Sequence, residues 1–252
     1  MKTVHVLIPV LNEAPNIPSL ALGLSKWKEE IPGYAFRFIF INDGSTDETP
    51  RLLDELSGSL PVSTLHHKTC QGPGKAFATG FASLAGKLGS GDMVVTMEGD
   101  NTSRPHILRL MLGRVEREGN DVVLASPYTY GGGLTNTSLL RTFLSHAANG
   151  LMKMVLNLHG LNTFSSFYRL YTADAIKTLQ THYGNGILEN KGFECMVELL
   201  YKMALLRFSI SEVAMRLDTS LRKGKSKMKI LRTMRGYLRV MWMKDKWKRK
   251  ES

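Results

Sequence analysis

Two carboxylates separated by a single glycine, Glu98-Gly99-Asp100, end the apolar run Val94-Val95-Thr96-Met97. Such a run reads as a buried strand, and buried strands of α/β sheets present their carboxyl ends to a ligand crevice. Side chains alternate along a strand, so Glu98 and Asp100 fall on one side if the extended geometry continues. Paired hard oxygens there suit Mg²⁺ or Mn²⁺, with the remaining coordination left to phosphate oxygens and water. Gly99 is expected to let a bulky anionic group approach the backbone. The plain alternative is an acidic turn after a strand, and taken alone these residues favour it; their neighbours in the chain decide otherwise.

The elements that must position them are legible on either side. Val4 to Val10 is a short apolar strand left through Leu11-Asn12-Glu13. Pro15 or Asn16 then opens a helix of roughly four turns ending near Pro32-Gly33. Phe36 to Ile41 is a second strand, closed by Asn42-Asp43-Gly44-Ser45-Thr46-Asp47. Thr46 is placed to cap the next helix, which runs to about Gly58 with Glu48 in its first turn. Val62 to His66 is a third strand, and Gly72-Pro73-Gly74-Lys75 leads into a helix over 76–88. A helix over 105–118 with Pro105 at its start follows the carboxylate strand, and Asp121 to Ser126 is another strand. This alternation predicts a largely parallel sheet with helices on both faces.

Two common nucleotide motifs are excluded. The first strand ends in Pro-Val-Leu-Asn-Glu and not in a glycine triplet, so the dinucleotide fingerprint is missing. Gly74-Lys75 fails as a phosphate loop, with Thr69 at the first glycine position and Ala76 where Ser or Thr should follow the lysine.

At 252 residues, one α/β domain of the larger kind is the simplest expectation. Cys70 and Cys195 stand in unrelated contexts, which argues against a disulfide framework or a zinc site and fits a reducing compartment. No signal peptide and no window of ~18 apolar residues are evident, so no membrane span is expected. The charge is lopsided. Residues 222–252 hold 13 Lys/Arg against 2 Asp/Glu, whereas residues 1–221 balance 20 against 20.

Five segments taken in order resemble the inverting family-2 glycosyltransferases of GT-A fold, in particular the dolichol-phosphate mannose synthase branch and its polyprenyl-phosphate relatives. They are Ile8-Pro9-Val10-Leu11-Asn12-Glu13, Asn42-Asp43-Gly44-Ser45-Thr46-Asp47, Gly74-Lys75-Ala76, Glu98-Gly99-Asp100 and Ser165-Ser166-Phe167-Tyr168-Arg169-Leu170-Tyr171. Gly224-Lys225-Ser226-Lys227 is similar to the family's C-terminal Gly-x-Ser-Lys signature. The resemblance spans about residues 4–240.

It implies a GT-A domain over 1–221 and a basic amphipathic segment over 222–252. Pro9, Asn12, Glu13 and Asp43 would hold the nucleotide's base and ribose, since carboxylates accept paired hydrogen bonds from such groups. Without the resemblance, Asp43-Gly44-Ser45 is a plain turn and Lys75 a solvated lysine; with it, Lys75 contacts the diphosphate. The metal set would be Asp100 with Glu98 and Thr102, on positions where the family carries Asp and often Gln. Arg141 and Ser145, four apart on one helix face, would bind the acceptor phosphate. Pro127 stands where the family usually has a phosphate-binding arginine, which leaves Arg169, Arg222 and Lys227 as the cations. The motif around Arg169 commonly begins with Asp, where this chain has Thr163.

The implied reaction moves a hexose, with mannose favoured, from a GDP- or UDP-sugar to a polyprenyl phosphate. A phosphate nucleophile is already ionised at neutral pH, and the Glu-Asp pair and Gln-x-x-Arg-Trp motif of hydroxyl-directed relatives are missing. Transfer to a sugar or lipid hydroxyl, with Glu98 or Glu194 as base, is the second reading. A non-catalytic nucleotide-sugar binder is the third.

Residues 139–158 form a helix apolar around most of its surface, explained equally by core packing and by lipid contact. Ile230, Leu231, Met234, Leu238, Met241 and Trp242 recur at helical spacing among Arg232, Arg235, Arg239 and Lys246, the pattern of an interfacial helix. An anionic membrane surface is therefore the expected partner, at the cytoplasmic face, with room for an integral membrane partner. Nucleic acid is not expected, because the body is neutral.

Overall fold

The computed structural model describes residues 1–137, 139–224 and 230–248; within these, the side chains of residues 139–141, 144 and 230–232 are excluded. Nine strands and nine α-helices are defined among the described residues. In chain order the first half runs β1 (Lys2–Val10), α1 (Ile17–Ser25), α2 (Trp27–Glu30), β2 (Tyr34–Asn42), α3 (Thr49–Leu56), β3 (Val62–His66), α4 (Pro73–Ser83), β4 (Met93–Thr96), α5 (Pro105–Glu118) and β5 (Val122–Ser126). The second half comprises β6 (Gly133–Thr135), α6 (Leu139–Leu156), β7 (Arg169–Thr172), α7 (Ala173–Tyr183), α8 (Cys195–Leu205), β8 (Ile210–Ala214), β9 (Arg216–Asp218) and α9 (Ile230–Lys248).

Seven strands form one sheet in the order β3-β2-β1-β4-β7-β5-β8. Six run in the same direction, and β7 is antiparallel to both β4 and β5. The expected α/β, mostly parallel architecture is thus present, with one reversed strand. β6 and β9 pair separately in parallel.

The period-two alternation of the strands divides the core between the two faces. Val4, Val6, Ile8 and Val10 of β1 and Phe36, Phe38 and Phe40 of β2 pack with α1, α2, α3 and α5. Leu7, Ile39, Ile41, Val94 and Leu124 face the other way, towards α4, α6, α7, α8 and α9. Val240, Met243 and Trp247 of α9 belong to this second core. The basic C-terminal helix therefore shares the hydrophobic core of the sheet domain through one of its faces.

Several boundaries differ from expectation for local reasons. The first helix is broken after Ser25, whose hydroxyl donates to the Leu22 carbonyl at 2.9 Å, a back-bond that commonly bends helices. α3 begins at Thr49 and not after Thr46, because the Asp47 carboxylate accepts the Thr49 N–H at 3.0 Å while the Thr46 N–H goes to Asn12 Oδ1 at 2.8 Å. α4 starts three residues early, where Pro73 sits in the first turn, and ends at Ser83. No strand is evident after residue 126 in the sequence. The later strands are only three to five residues long, too short for a periodic signal.

Candidate active site

β1, β2 and β4 lie side by side, and their carboxyl ends deliver three loops to one edge of the sheet. The first two loops are sewn together by polar side chains. The Asn12 N–H donates to Ser45 Oγ at 2.9 Å, the Glu13 N–H to Thr49 Oγ1 at 2.8 Å and the Ala14 N–H to Asp47 Oδ2 at 3.3 Å. Asn12 adopts φ 48, the left-handed conformation that asparagine tolerates. Pro9 is half-buried near the end of β1, and Glu13 is half-buried just beyond it.

The third loop carries the carboxylates. Asp100 is buried, whereas the Glu98 side chain is 34% exposed. Gly99 has a different purpose from the one expected: it is buried, and a Cβ there would lie 2.7 Å from Val10 Cγ1. The glycine lets this loop pack on the end of β1. Thr102 is buried and supports Asp100, donating its hydroxyl at 2.6 Å and its N–H at 3.2 Å to Oδ1.

The segment after β9 closes over these carboxylates. Arg222 Nε donates to Asp100 Oδ2 at 2.6 Å, a terminal nitrogen bonds the same oxygen, and that nitrogen lies 3.7 Å from Glu98 Oε2. Burial draws the Arg222 guanidinium pKa down, but Asp100, Glu98 and Glu13 outweigh it and hold it above its ordinary value. Glu98, Asp100, Thr102 and Arg222 are therefore brought together, with Glu13 close by.

As donors for a divalent ion, Glu98 and Asp100 fit in type and number, since Mg²⁺-like ions are held by one or two carboxylates and complete their shell with phosphate and water. No cluster of three or more metal-ligating side chains occurs among the described residues. The hydroxyl of Thr102 is engaged as a donor to Asp100.

Other expected site residues are placed differently. Asp43 is almost fully buried, and its carboxylate accepts the Gln71 N–H at 2.9 Å, the Gly72 N–H at 2.7 Å and the Cys70 thiol at 3.3 Å, with His67 Nδ1 at 2.7 Å. It builds the 67–72 loop with all of these bonds. Lys75 is exposed near the start of α4.

Arg169 is corrected. It has no exposed surface, and its guanidinium donates to the carbonyls of Ser166 at 2.7 Å, Met196 at 2.9 Å and Phe164 at 2.8 Å. Burial pushes its pKa down, and its guanidinium is enclosed with its donors spent on main-chain oxygens. It ties the chain before β7 to α8 and is not a cation of the site. Ser145 on α6 hydrogen-bonds the Tyr128 hydroxyl, and the Tyr128 ring meets His146 edge-on at 4.8 Å. The Arg141 side chain and Lys227 lie outside the described residues. Glu194 is buried at the start of α8, and a Cβ at Gly236 of α9 would fall 2.4 Å from its Oε2.

The mostly parallel sheet flanked by helices is the fold of the GT-A glycosyltransferase structures. The chain belongs to glycosyl transferase family 2, which it matches over residues 5–180. It is 27% identical over 210 residues to polyprenol monophosphomannose synthase of Mycolicibacterium smegmatis, covering 82% of this chain and 74% of that one. It is 25% identical over 245 residues to dolichol-phosphate mannosyltransferase of Pyrococcus furiosus, covering 97% of this chain and 64% of the relative. Among solved structures, glucosyl-3-phosphoglycerate synthase of Mycobacterium tuberculosis, bound to Mn²⁺, uridine diphosphate and its product, superposes with a TM-score of 0.66 at 18% identity over 96% of this chain and 79% of that one.

Proposed function

We propose that this glycosyltransferase moves a hexose, mannose in first place, from a nucleoside-diphosphate sugar to a polyprenyl phosphate. The observation that carries the proposal is the Glu98–Asp100 pair at the strand edge with the Arg222 guanidinium against it. It is supported by the names of the two relatives. A divalent ion held by Asp100 and Glu98 would offset charge developing on the departing nucleoside diphosphate. Thr102 holds Asp100 in place for that task, and Arg222 supplies a second positive charge within reach of the diphosphate. Pro9, Asn12 and Glu13 border the same edge, on the side expected for base and ribose.

Ser145, oriented by Tyr128, and Arg141 on the same helix are the proposed acceptor-phosphate groups. A phosphate acceptor needs no general base, and Glu194, the alternative base for a hydroxyl acceptor, is buried against Gly236 of α9.

We further propose an anionic membrane as the surface on which the lipid acceptor is met. No helix among the described residues is long and apolar enough to cross a membrane. However, Phe143, Leu151 and Met154 of α6 and Met234, Leu238 and Trp242 of α9 are exposed. Basic residues beside the latter each contribute about 1 kcal/mol near anionic lipid.

Transfer of label from GDP-mannose and UDP-glucose to a polyprenyl phosphate, with and without Mn²⁺, tests the reading. Label found only on a hydroxyl acceptor, or on none, would overturn it.

A further inference from the structure

Three loops of the site converge on one buried amide. Asn16 precedes α1 at the N-cap position, yet its side chain makes no capping bond. It reaches across 207 residues of sequence instead. Asn16 Nδ2 donates to the Lys223 carbonyl at 3.0 Å, and the Lys223 N–H donates back to Asn16 Oδ1 at 2.9 Å. This two-point exchange is the one a strand offers its neighbour, made here by a side chain. The same Nδ2 also bonds the Glu13 carboxylate. Asn101, held at φ 67, donates its amide to both the main-chain oxygen and Oδ1 of Asn16 at 3.3 Å.

Asn16 is completely buried, so water does not compete for these bonds. Lys223 directly follows Arg222, and Asn101 directly follows Asp100. Each end of the Arg222–Asp100 ion pair is thus one residue from the same amide.

We infer that Asn16 is a positioning residue that clamps the 222–223 segment to the carboxylate loop and so presents Arg222 to the diphosphate of a bound nucleotide. The inference rests on the nucleotide-sugar reading of that edge. A long arginine side chain is specific only when its backbone origin is fixed, and both backbone groups of the residue beside it are fixed here by Asn16.

The test measures binding of UDP and of GDP, each with Mn²⁺, by calorimetry on the full chain for Asn16→Ala, Arg222→Ala and Lys223→Pro combined with Arg222→Ala. Asn16→Ala should weaken binding about tenfold, from the loss of the two neutral hydrogen bonds to Lys223 among the four its side chain makes. Lys223→Pro combined with Arg222→Ala should bind no worse than Arg222→Ala alone, because it keeps the Asn16–Glu13 bond and its effect passes through the guanidinium. Additive losses in that combination, or unaltered binding by Asn16→Ala, overturn the inference.

Lys223→Pro breaks the clamp from the exposed side and covers the case in which Asn16→Ala does not fold. Arg222 has φ −74 and ψ 124, a conformation compatible with a following proline. A weakening of roughly threefold to tenfold is expected, because proline removes the Lys223 N–H donor and leaves its carbonyl bonded to Asn16. Amide exchange across 219–224, measured without nucleotide, should accelerate in every folded variant that breaks the clamp. Unchanged exchange rejects the clamp whatever the site binds. Faster exchange in a chain whose wild type binds neither nucleotide rejects the site reading and, with it, the role given to Arg222, while the clamp stands.

Discussion

Arg222 and Asp100 stand 122 residues apart in the chain, yet the guanidinium Nε donates to the carboxylate at 2.6 Å. A cation from the C-terminal segment thus rests on the carboxylate proposed to hold a metal.

Asp100→Ala should therefore reduce transfer on the order of a hundredfold or more, since it removes a metal ligand and the partner of Arg222 together. Glu98→Asp should preserve or raise activity. Initial rates at saturating donor and Mn²⁺, alongside thermal melting, check both. Near-normal turnover by Asp100→Ala would show that the metal is held elsewhere.

Arg169→Met should behave oppositely to Arg222→Ala. The first strands three carbonyls in the core and should cost on the order of 3–5 kcal/mol of stability. The second leaves the buried Asp100 carboxylate without its cation but strands no carbonyls, so it should cost less stability than the first while lowering donor affinity. Urea unfolding of the two variants separates them. A stable Arg169→Met chain with weakened nucleotide binding would return Arg169 to the site.

The contrast shows what sequence can and cannot convey. Glu98 and Asp100 are legible because an apolar run fixes a strand and two acids mark its end. Arg169 is misread because an arginine that feeds carbonyls and one that binds phosphate look alike; both offer a planar fork of donors. Asp43 has a similar ambiguity, since turn-forming and ligand-binding carboxylates occupy the same place in the motif. Asn16 is legible as a helix opener, but its partner at Lys223 is set by how the chain folds back. No local pattern encodes that. The reversed strand β7 is hidden by its length of four residues.

Replacing Met234, Leu238 and Trp242 together by Ser should release the protein from anionic vesicles without unfolding it, because all three are exposed. Flotation with phosphatidylserine vesicles at two salt concentrations is the measurement. Wild-type binding should fall as salt rises. Retained flotation by the triple variant would move the contact to Phe143, Leu151 and Met154.

Stability should fall on mild acidification through His5. Burial lowers its pKa below 6.5, and the Asp92 carboxylate, with Oδ2 3.4 Å from Nε2, recovers only part of the shift. The unfolded chain then takes up a proton near pH 6.5 before the folded chain does, so folding weakens as pH drops from 7.5 to 5.5. One proton contributes at most about 1.4 kcal/mol per pH unit. His5→Gln should flatten the dependence of the unfolding free energy over this window. An unchanged slope would assign it to other groups.

The inner face of α9 settles a question of rotation. Val240, Met243 and Trp247 are held in the core, Trp247 Nε1 donates to Glu189 at 2.7 Å, and Lys244 reaches the Val155 carbonyl at the end of α6 at 3.1 Å. A free amphipathic helix hides its apolar stripe by rolling about its axis. This one is keyed like a shaft and cannot roll, so Met234, Leu238 and Trp242 keep one fixed bearing relative to the sheet edge. Whatever meets that stripe meets the carboxylate edge at a set angle, which makes the orientation of the enzyme a property of its core.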